Sequence, residues 1–119
     1  MKNEIELVWE DYALSWKATT ADEKRALFAK CLDTDCIYTS PVITTHGWND
    51  LVTHMLEFHK NVPGGYFNTT YFRNYDNKSI ARWDMITGDD VVVGDGISYC
   101  EYNNNGKLLS MTGFFDVAG

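Results

Sequence analysis

The sequence predicts an α+β domain in which three helices, all in the N-terminal half, pack against a curved, mostly antiparallel sheet. The first observation behind this is that apolar residues recur at helical spacing in three segments before Pro63. The second is that the chain from Tyr66 onward consists of β-rich runs separated by turn residues such as Asn105 and Gly106. Because no linker, repeat or low-complexity tract interrupts this order, residues 1–119 are predicted to form one domain.

The first two helices are defined by apolar stripes and by one capping signal. A single stripe runs from Ile5 to Trp16 and predicts the first helix. Thr20 and Glu23 have the spacing of a capping box, which places the start of the second helix at Ala21 and lets it run to about Leu32.

The third helix is expected to begin near Gly47 or Trp48 and to end before Pro63. Strands are predicted at Cys36–Ser40, Tyr66–Tyr75, Ser79–Thr87, Val91–Tyr102 and Leu108–Val117.

The predicted strands carry apolar residues on both faces of the sheet, so both faces are expected to be buried. Alternation along the last strand puts Leu109, Met111, Gly113 and Phe115 together, and we take this face as the inner one. The segment Val91–Tyr102 is apolar on both faces, whereas a strand with one wet face should alternate. A second copy of the protein covering the outer face would explain this pattern, and ordinary β-propensity without a partner is the alternative.

Composition and charge exclude several classes of function. The formal net charge of −7 disfavours nucleic acid and membrane surfaces as partners. The cysteines Cys31, Cys36 and Cys100 form no C-x-x-C pair, so neither a disulfide framework nor a zinc site is predicted, and free thiols favour the cytoplasm. The sequence has no phosphate loop, dinucleotide fingerprint or nucleophile elbow, and we expect neither a cofactor nor a metal.

Four side chains, three on the first and third helices and one in the loop before the third, are candidates for chemistry. His59 lies within the apolar stripe of the third helix and is either a hydrogen-bonded core residue or a base facing a pocket. His54 lies at the edge of that stripe, where an exposed position is expected, and His46 lies in the loop before the helix. Tyr12 lies on the buried stripe of the first helix, so its hydroxyl would meet a ligand oxygen if it faced a cavity.

Three local motifs in order resemble the nuclear transport factor 2-like superfamily, in particular its SnoaL-like polyketide cyclases and the ketosteroid isomerases. The first is His54-x3-Phe58-His59-x3-Pro63-Gly64-x2-Phe67, which is similar to a SnoaL-like run that carries glutamine in place of His59. The others are the segment 106–111, GKLLSM, and the segment 38–41, YTSP, followed by His46 and Gly47. The resemblance implies a single SnoaL-like domain over residues 1–119. It would be a cone-shaped, cystatin-like α+β barrel roll, commonly dimeric, with a pocket between sheet and helices.

The chain departs from the isomerase pattern at two acidic positions. The position of the isomerase base is Ser40, and the position of the oxyanion-hole acid is Ser98, while Tyr12 matches the oxyanion-hole tyrosine. A serine hydroxyl cannot act as a carboxylate base near neutral pH, but it can donate a hydrogen bond to a carbonyl. The resemblance therefore implies that Tyr12 and Ser98 polarise a substrate oxygen. The proton shuttle is absent unless His46, His59 or Asp84 replaces the acid, and of these His59 is the best candidate base.

These observations together predict a pocket for a small, mostly apolar ligand. Its expected lining residues are Trp16, Tyr38, Ser40, Met55, Phe58, Phe67, Trp83, Met111 and Phe115. The protein would be an isomerase, cyclase or dehydratase acting next to a carbonyl. The alternatives are a non-catalytic binding protein and a dimeric adaptor with the same fold. A homodimer formed through the outer sheet face is expected in each case.

Overall fold

The computed structural model describes residues 3–117, which form three helices and six strands. The helices are α1 (Glu4–Lys17), α2 (Ala21–Cys31) and α3 (Gly47–Asn61). The strands are β1 (Leu32–Thr39), β2 (Thr44–His46), β3 (Tyr66–Tyr75), β4 (Lys78–Ile86), β5 (Val92–Tyr102) and β6 (Leu108–Phe114). The predicted α+β class, with all helices in the N-terminal half, is confirmed.

All six strands belong to one sheet with the order β2-β1-β6-β5-β4-β3. Every neighbouring pair is antiparallel except β1 and β6, which run parallel. The long strands carry register shifts between Thr69 and Tyr71, Met85 and Ile86, and Glu101 and Tyr102. Such irregularities bend and twist a strand, so the sheet curves around the helices.

The first two helices start with side-chain caps. The Asn3 side chain accepts a hydrogen bond from the Glu6 N–H at the start of α1. The predicted capping box of α2 is confirmed, because Thr20 accepts from the Glu23 N–H and the Glu23 carboxylate accepts from Thr20. The boundary between α1 and α2 is therefore determined by local chemistry.

The segment after β1 corrects one sequence-based expectation. The chain reverses after Thr39, where the Ser40 N–H donates to the Ile43 carbonyl over 2.9 Å. Thr44–His46 then pairs with β1 as an edge strand, so His46 lies in a strand and not in a loop. A three-residue strand is too short to show alternation in the sequence.

The inner face of β6 is a second correction. Leu109 was predicted to point inward with Met111, but Leu109 is 42% exposed and Leu108 is fully buried. A register shift places Tyr102 opposite Leu108 and Glu101 opposite Ser110, which leaves Leu109 without a partner on β5. This bulge exchanges the two faces at the start of the strand.

The interior has a filled half and a hollow half. The filled half is formed by Phe28, Cys31, Leu32, Leu51, Met55, Cys100, Tyr102, Leu108 and Met111, each almost completely buried. Within it, the Ser79 and Tyr102 hydroxyls hydrogen-bond each other over 2.8 Å. None of the three helices within residues 3–117 has the length and apolar character that a membrane span requires.

Candidate functional site

A cavity of about 660 Å³ occupies the hollow half, between α1, α3 and the inner face of the sheet. Its size is within the range of sites that enclose drug-sized ligands. At its mouth lie aliphatic side chains that are at least a third exposed, including Val42, Ile43, Val93 and Val117.

Aromatic rings form most of the wall. The Trp16 ring makes edge contacts with Phe58 and Phe67, with centroid separations of 5.5 and 5.3 Å. Trp83 makes a similar contact with Phe67 at 5.0 Å and reaches Phe115 at 6.2 Å. Rings that pack edge-on hold one another in place, so the wall is apolar and largely preformed.

The cavity is open because small residues occupy inner positions of β5 and β6. A Cβ atom added at Gly113 would meet nothing nearer than the Tyr38 hydroxyl, 3.8 Å away. Ser98, which pairs with Gly113 across the two strands, is the other small residue at this level. At the next inward-facing pair of β5 and β6, Cys100 lies opposite Met111. Both side chains are buried there, and the cavity ends at the filled half.

Hydroxyl groups supply the polar chemistry of the wall. The indole Nε1–H of Trp83 donates to Ser98 Oγ over 3.0 Å, and Ser98 is 8% exposed. Burial raises the pKa of Tyr12 well above its usual value, and burial also raises the pKa of Tyr38. Both phenols are therefore protonated near neutral pH and can donate hydrogen bonds to a ligand oxygen.

His54 is the histidine that lines the cavity. Its ring lies edge-on to Trp16 and tilted against Tyr38, each with a centroid separation of 5.7 Å. Burial lowers the pKa of His54 below 6.5, so the imidazole is neutral at pH 7 and one of its ring nitrogens is unprotonated. The expectation of an exposed His54 is thus wrong, because the side chain is half-buried and lies one turn before Phe58 on the same helix face.

His59 lies outside the cavity wall and contacts α1 and α2. Its Nε2 lies 3.0 Å from Lys24 Nζ, and the same ammonium donates to the Ser15 and Ala18 carbonyls at 2.9 and 2.7 Å. Burial and the Lys24 charge lower the pKa of His59, so its neutral imidazole is the acceptor in this pair. The structure therefore places His59 as a hydrogen-bonded interior residue, the first of the two readings of the sequence.

Eight of the twelve residues proposed for the site lie in the wall: Tyr12, Trp16, Tyr38, Phe58, Phe67, Trp83, Ser98 and Phe115. The others are His59, Ser40, Met55 and Met111. Ser40 lies in the turn after β1, where its hydroxyl accepts from the Val42 N–H. Met55 and Met111 belong to the filled half.

Charge at the site is confined to its mouth. Glu57, Asp95 and Asp116 border the cavity and are exposed, and Lys60 pairs with Glu57 at 2.9 Å. No lysine or arginine lines the cavity within residues 3–117. Over the same residues, no group of three or more His, Cys, Asp or Glu side chains is arranged to hold a metal ion.

The three helices and the curved six-stranded sheet form a fold that the chain shares with solved proteins described as NTF2-like. The chain is similar to a candidate isomerase of the SnoaL-like family from Agrobacterium tumefaciens, with a TM-score of 0.87 and 18% identity over 96% of this chain and 98% of that one. It is also similar to a protein of unknown function with a cystatin-like fold from Methylobium petroleophilum, with a TM-score of 0.77 and 13% identity over 98% and 78% of the two chains.

A third similar structure is a candidate SnoaL-like polyketide cyclase from Jannaschia, with a TM-score of 0.75 and 11% identity over 95% and 85% of the two chains. No family model and no curated protein matches the sequence. The predicted resemblance to SnoaL-like proteins is confirmed as a likeness of fold, and at these identities the chemistry has to be argued from the residues.

Proposed function

We propose that the cavity binds a small, mostly apolar, uncharged molecule with a carbonyl group and catalyses proton transfer at the carbon next to that carbonyl. The reaction would be of the isomerase, cyclase or dehydratase type. One observation carries the proposal: protonated hydroxyls of Tyr12 and Ser98 share an aromatic cavity with the neutral imidazole of His54. The similar fold of a candidate isomerase and a candidate polyketide cyclase supports it.

The proposed mechanism moves one proton and needs no oxidant or reductant. Tyr12 and Ser98 donate hydrogen bonds to the carbonyl oxygen, and His54 takes a proton from the adjacent carbon. The electron pair of that C–H bond moves to the oxygen as an enolate, which the two hydroxyls stabilise. The proton then returns from His54 to the same or a conjugated carbon.

A direct test is deuterium uptake by methyl naphthyl ketone in heavy water, followed by mass spectrometry. We expect the protein to accelerate exchange of the methyl hydrogens over buffer. His54→Gln should reduce the rate by about a hundredfold, because a general base contributes factors of this order. His59→Gln is the matched control and should leave the rate unchanged, since His59 lies outside the wall. Equal rates for the two variants would contradict the role of His54.

The pH dependence of this exchange follows from the direction of the His54 pKa. Burial lowers that pKa from 6.5, so the imidazole remains neutral at pH 6.5 and gains its proton only in more acidic solution. Exchange should therefore decline on an acid limb whose midpoint lies below pH 6.5. An acid limb centred above that value would contradict the assignment.

The alternative is a binding protein that holds the same ligand without changing it. It is favoured by the absence of a buried carboxylate from the cavity wall within residues 3–117, where Ser98 stands at the acidic position of the isomerase pattern. Binding of the ketone without accelerated exchange would support this alternative. The adaptor alternative expects a filled interior, and the cavity of about 660 Å³ disfavours it.

We also propose that two copies of the chain pair through the outer face of the sheet. Ile80, Phe114 and Tyr71 are 42%, 56% and 46% exposed there. Arg82 and Asp84 lie on the same face of β4, so a two-fold axis would let unlike charges of two copies meet.

Sedimentation velocity tests the pairing. We expect Phe114→Lys to convert a dimer into a monomer, because it places a charge within the apolar interface. Leu7→Lys on α1 is the control, since Leu7 is as exposed as Phe114 but lies on a helix. A wild-type monomer, or a Phe114→Lys dimer, would contradict the proposal.

We also propose a cytoplasmic location, because free thiols are typical of proteins in a reducing compartment. Cys31, Cys36 and Cys100 are all free and buried. Burial raises the pKa of Cys36 to about 11 and that of Cys100 to about 12, which keeps these thiols protonated.

A further inference from the structure

The sheet side of the cavity mouth is aliphatic. β6 lies between β1, which runs parallel to it, and β5, which runs antiparallel, so the end of β1, the end of β6 and the start of β5 lie side by side. Val42 and Ile43 follow the end of β1, Val117 follows the end of β6, and Val93 lies at the start of β5. We call these four cavity-lining side chains the aliphatic ledge.

The turn after β1 fixes the first two residues of the aliphatic ledge. The Ser40 N–H donates to the Ile43 carbonyl over 2.9 Å, and the Ser40 hydroxyl accepts from the Val42 N–H over 3.3 Å. These two bonds hold the backbone of the turn in one conformation. Val42 remains more than half exposed in it, so the protein itself does not cover this part of the mouth.

Val93 reaches the aliphatic ledge through a bulge in β5. Met85 of β4 pairs with Gly94, and Ile86 pairs with Val92, so Val93 is the extra residue of the bulge. A bulge redirects a side chain relative to its neighbours. Val93 accordingly lines the cavity, whereas Val92 is similarly exposed but lies outside the cavity wall.

The helix side of the mouth is polar. Glu57 and Asn61 of α3 line the opening there, and Glu57 pairs with Lys60 at 2.9 Å. An apolar group leaving the cavity along α3 would displace water from these polar groups, which is unfavourable. Along the aliphatic ledge the same group would displace water from hydrocarbon, which is favourable. The mouth therefore directs an apolar extension of a bound molecule along the aliphatic ledge.

Two carboxylates limit what can cover the aliphatic ledge. Asp95 lies two residues after Val93, Asp116 directly precedes Val117, and both aspartates are exposed at the mouth. A protein surface broad enough to cover the aliphatic ledge would also bury these carboxylates, which is costly unless each finds a partner. A hydrocarbon chain is narrow enough to cover the aliphatic side chains and leave the carboxylates in water.

We infer that the ligand of this cavity carries a saturated, uncharged hydrocarbon chain that leaves the mouth along the aliphatic ledge. This inference rests on the proposed function and deepens it, because it specifies the shape of the ketone. The carbonyl end lies in the interior against the hydroxyls of Tyr12 and Ser98, so the chain is attached at the end of the molecule remote from the carbonyl.

The test compares methyl naphthyl ketone with its derivative that carries a butyl chain on the ring remote from the carbonyl. A methylene group that is fully buried raises affinity about fourfold, and one that lies on a surface with its other side in water raises it about twofold. Isothermal titration calorimetry should therefore show the wild type binding the butyl derivative about fifteenfold more tightly than the parent ketone.

A double variant of the aliphatic ledge tests where the chain lies. Val42→Thr combined with Val93→Thr exchanges one methyl group for a hydroxyl at each position and keeps the β-branched shape. A hydroxyl covered by hydrocarbon loses its hydration without gaining a hydrogen bond. We expect the ratio of the two affinities to fall from about fifteenfold to less than about threefold.

Val91→Thr combined with Val92→Thr is the matched control. These valines directly precede Val93 and are also more than half exposed, but they lie outside the cavity wall. The control makes the same chemical change twice in the same part of the molecule. It should keep the fifteenfold advantage of the butyl derivative.

The possible failures are distinguishable. If the wild type binds both ketones equally, or if the ledge variant keeps the full advantage, the inference is wrong while the proposed function stands. An equal loss in both double variants would also overturn it, because the loss would then not depend on the aliphatic ledge. A ledge variant that keeps the advantage but changes the sedimentation coefficient would assign these residues to a contact between copies. If neither ketone binds to the wild type, the proposed function fails and this inference fails with it.

Discussion

Replacing Lys24 with methionine is expected to lower the free energy of unfolding by about 3 kcal/mol, because each buried acceptor left without a donor costs about 1–3 kcal/mol. The Lys24 side chain is fully buried, and its ammonium donates to the carbonyls of Ser15 and Ala18 at the end of α1 and to His59 on α3. Burial lowers the Lys24 pKa to about 8, which still leaves the group charged at pH 7. Methionine fills the same space and satisfies none of the three acceptors.

Urea denaturation followed by circular dichroism measures this effect. Lys30→Met is the matched control, because Lys30 lies on the same helix, is exposed, and should change stability by less than about 0.5 kcal/mol. Similar unfolding free energies for the two variants would show that the Lys24 contacts do not stabilise the packing of the three helices.

Replacing Gly113 with leucine is expected to weaken ketone binding by more than about tenfold while leaving the fold intact, because the added side chain fills the space a ligand needs. Gly113 lies in β6 with Ser98 as its cross-strand partner, and an added Cβ meets nothing closer than 3.8 Å. Its backbone is that of an ordinary strand, where leucine is tolerated better than glycine.

Isothermal titration calorimetry with methyl naphthyl ketone measures the loss. Gly113→Ala serves as the graded control, since a methyl group at this position makes only ordinary contacts and should change affinity little. Unchanged ketone binding in Gly113→Leu, with a thermal midpoint at least equal to that of the wild type, would show that the ligand binds elsewhere.

The expectations that the structure confirms and those that it corrects differ in their physical origin. The capping box at Thr20 and Glu23 depends on residues three apart, so it can be read directly from the chain. The inward position of Leu109 was wrong because a bulge opposite Glu101 and Tyr102 shifts the face, and alternation alone contains no sign of a bulge.

The assignment of the histidines shows the same division within one helix. Helical periodicity places His54 one turn from Phe58, and Met55 one turn from His59, on α3. Periodicity does not say which of these two pairs packs against α1 and α2 and which faces the cavity. In the fold, His54 and Phe58 line the cavity. Met55 packs in the filled half, and His59 contacts Lys24.

By itself, the sequence determined the helices, most strands, the α+β class and the aromatic, hydroxyl-bearing character of the interior, because caps, periodicity and residue type act over a few positions. Only the tertiary structure decided where the interior is hollow, that His54 lines the cavity, and that Trp83 donates to Ser98. These features depend on the volume left between side chains from α1, α3, β5 and β6, and that volume is a property of their packing together and of no single segment.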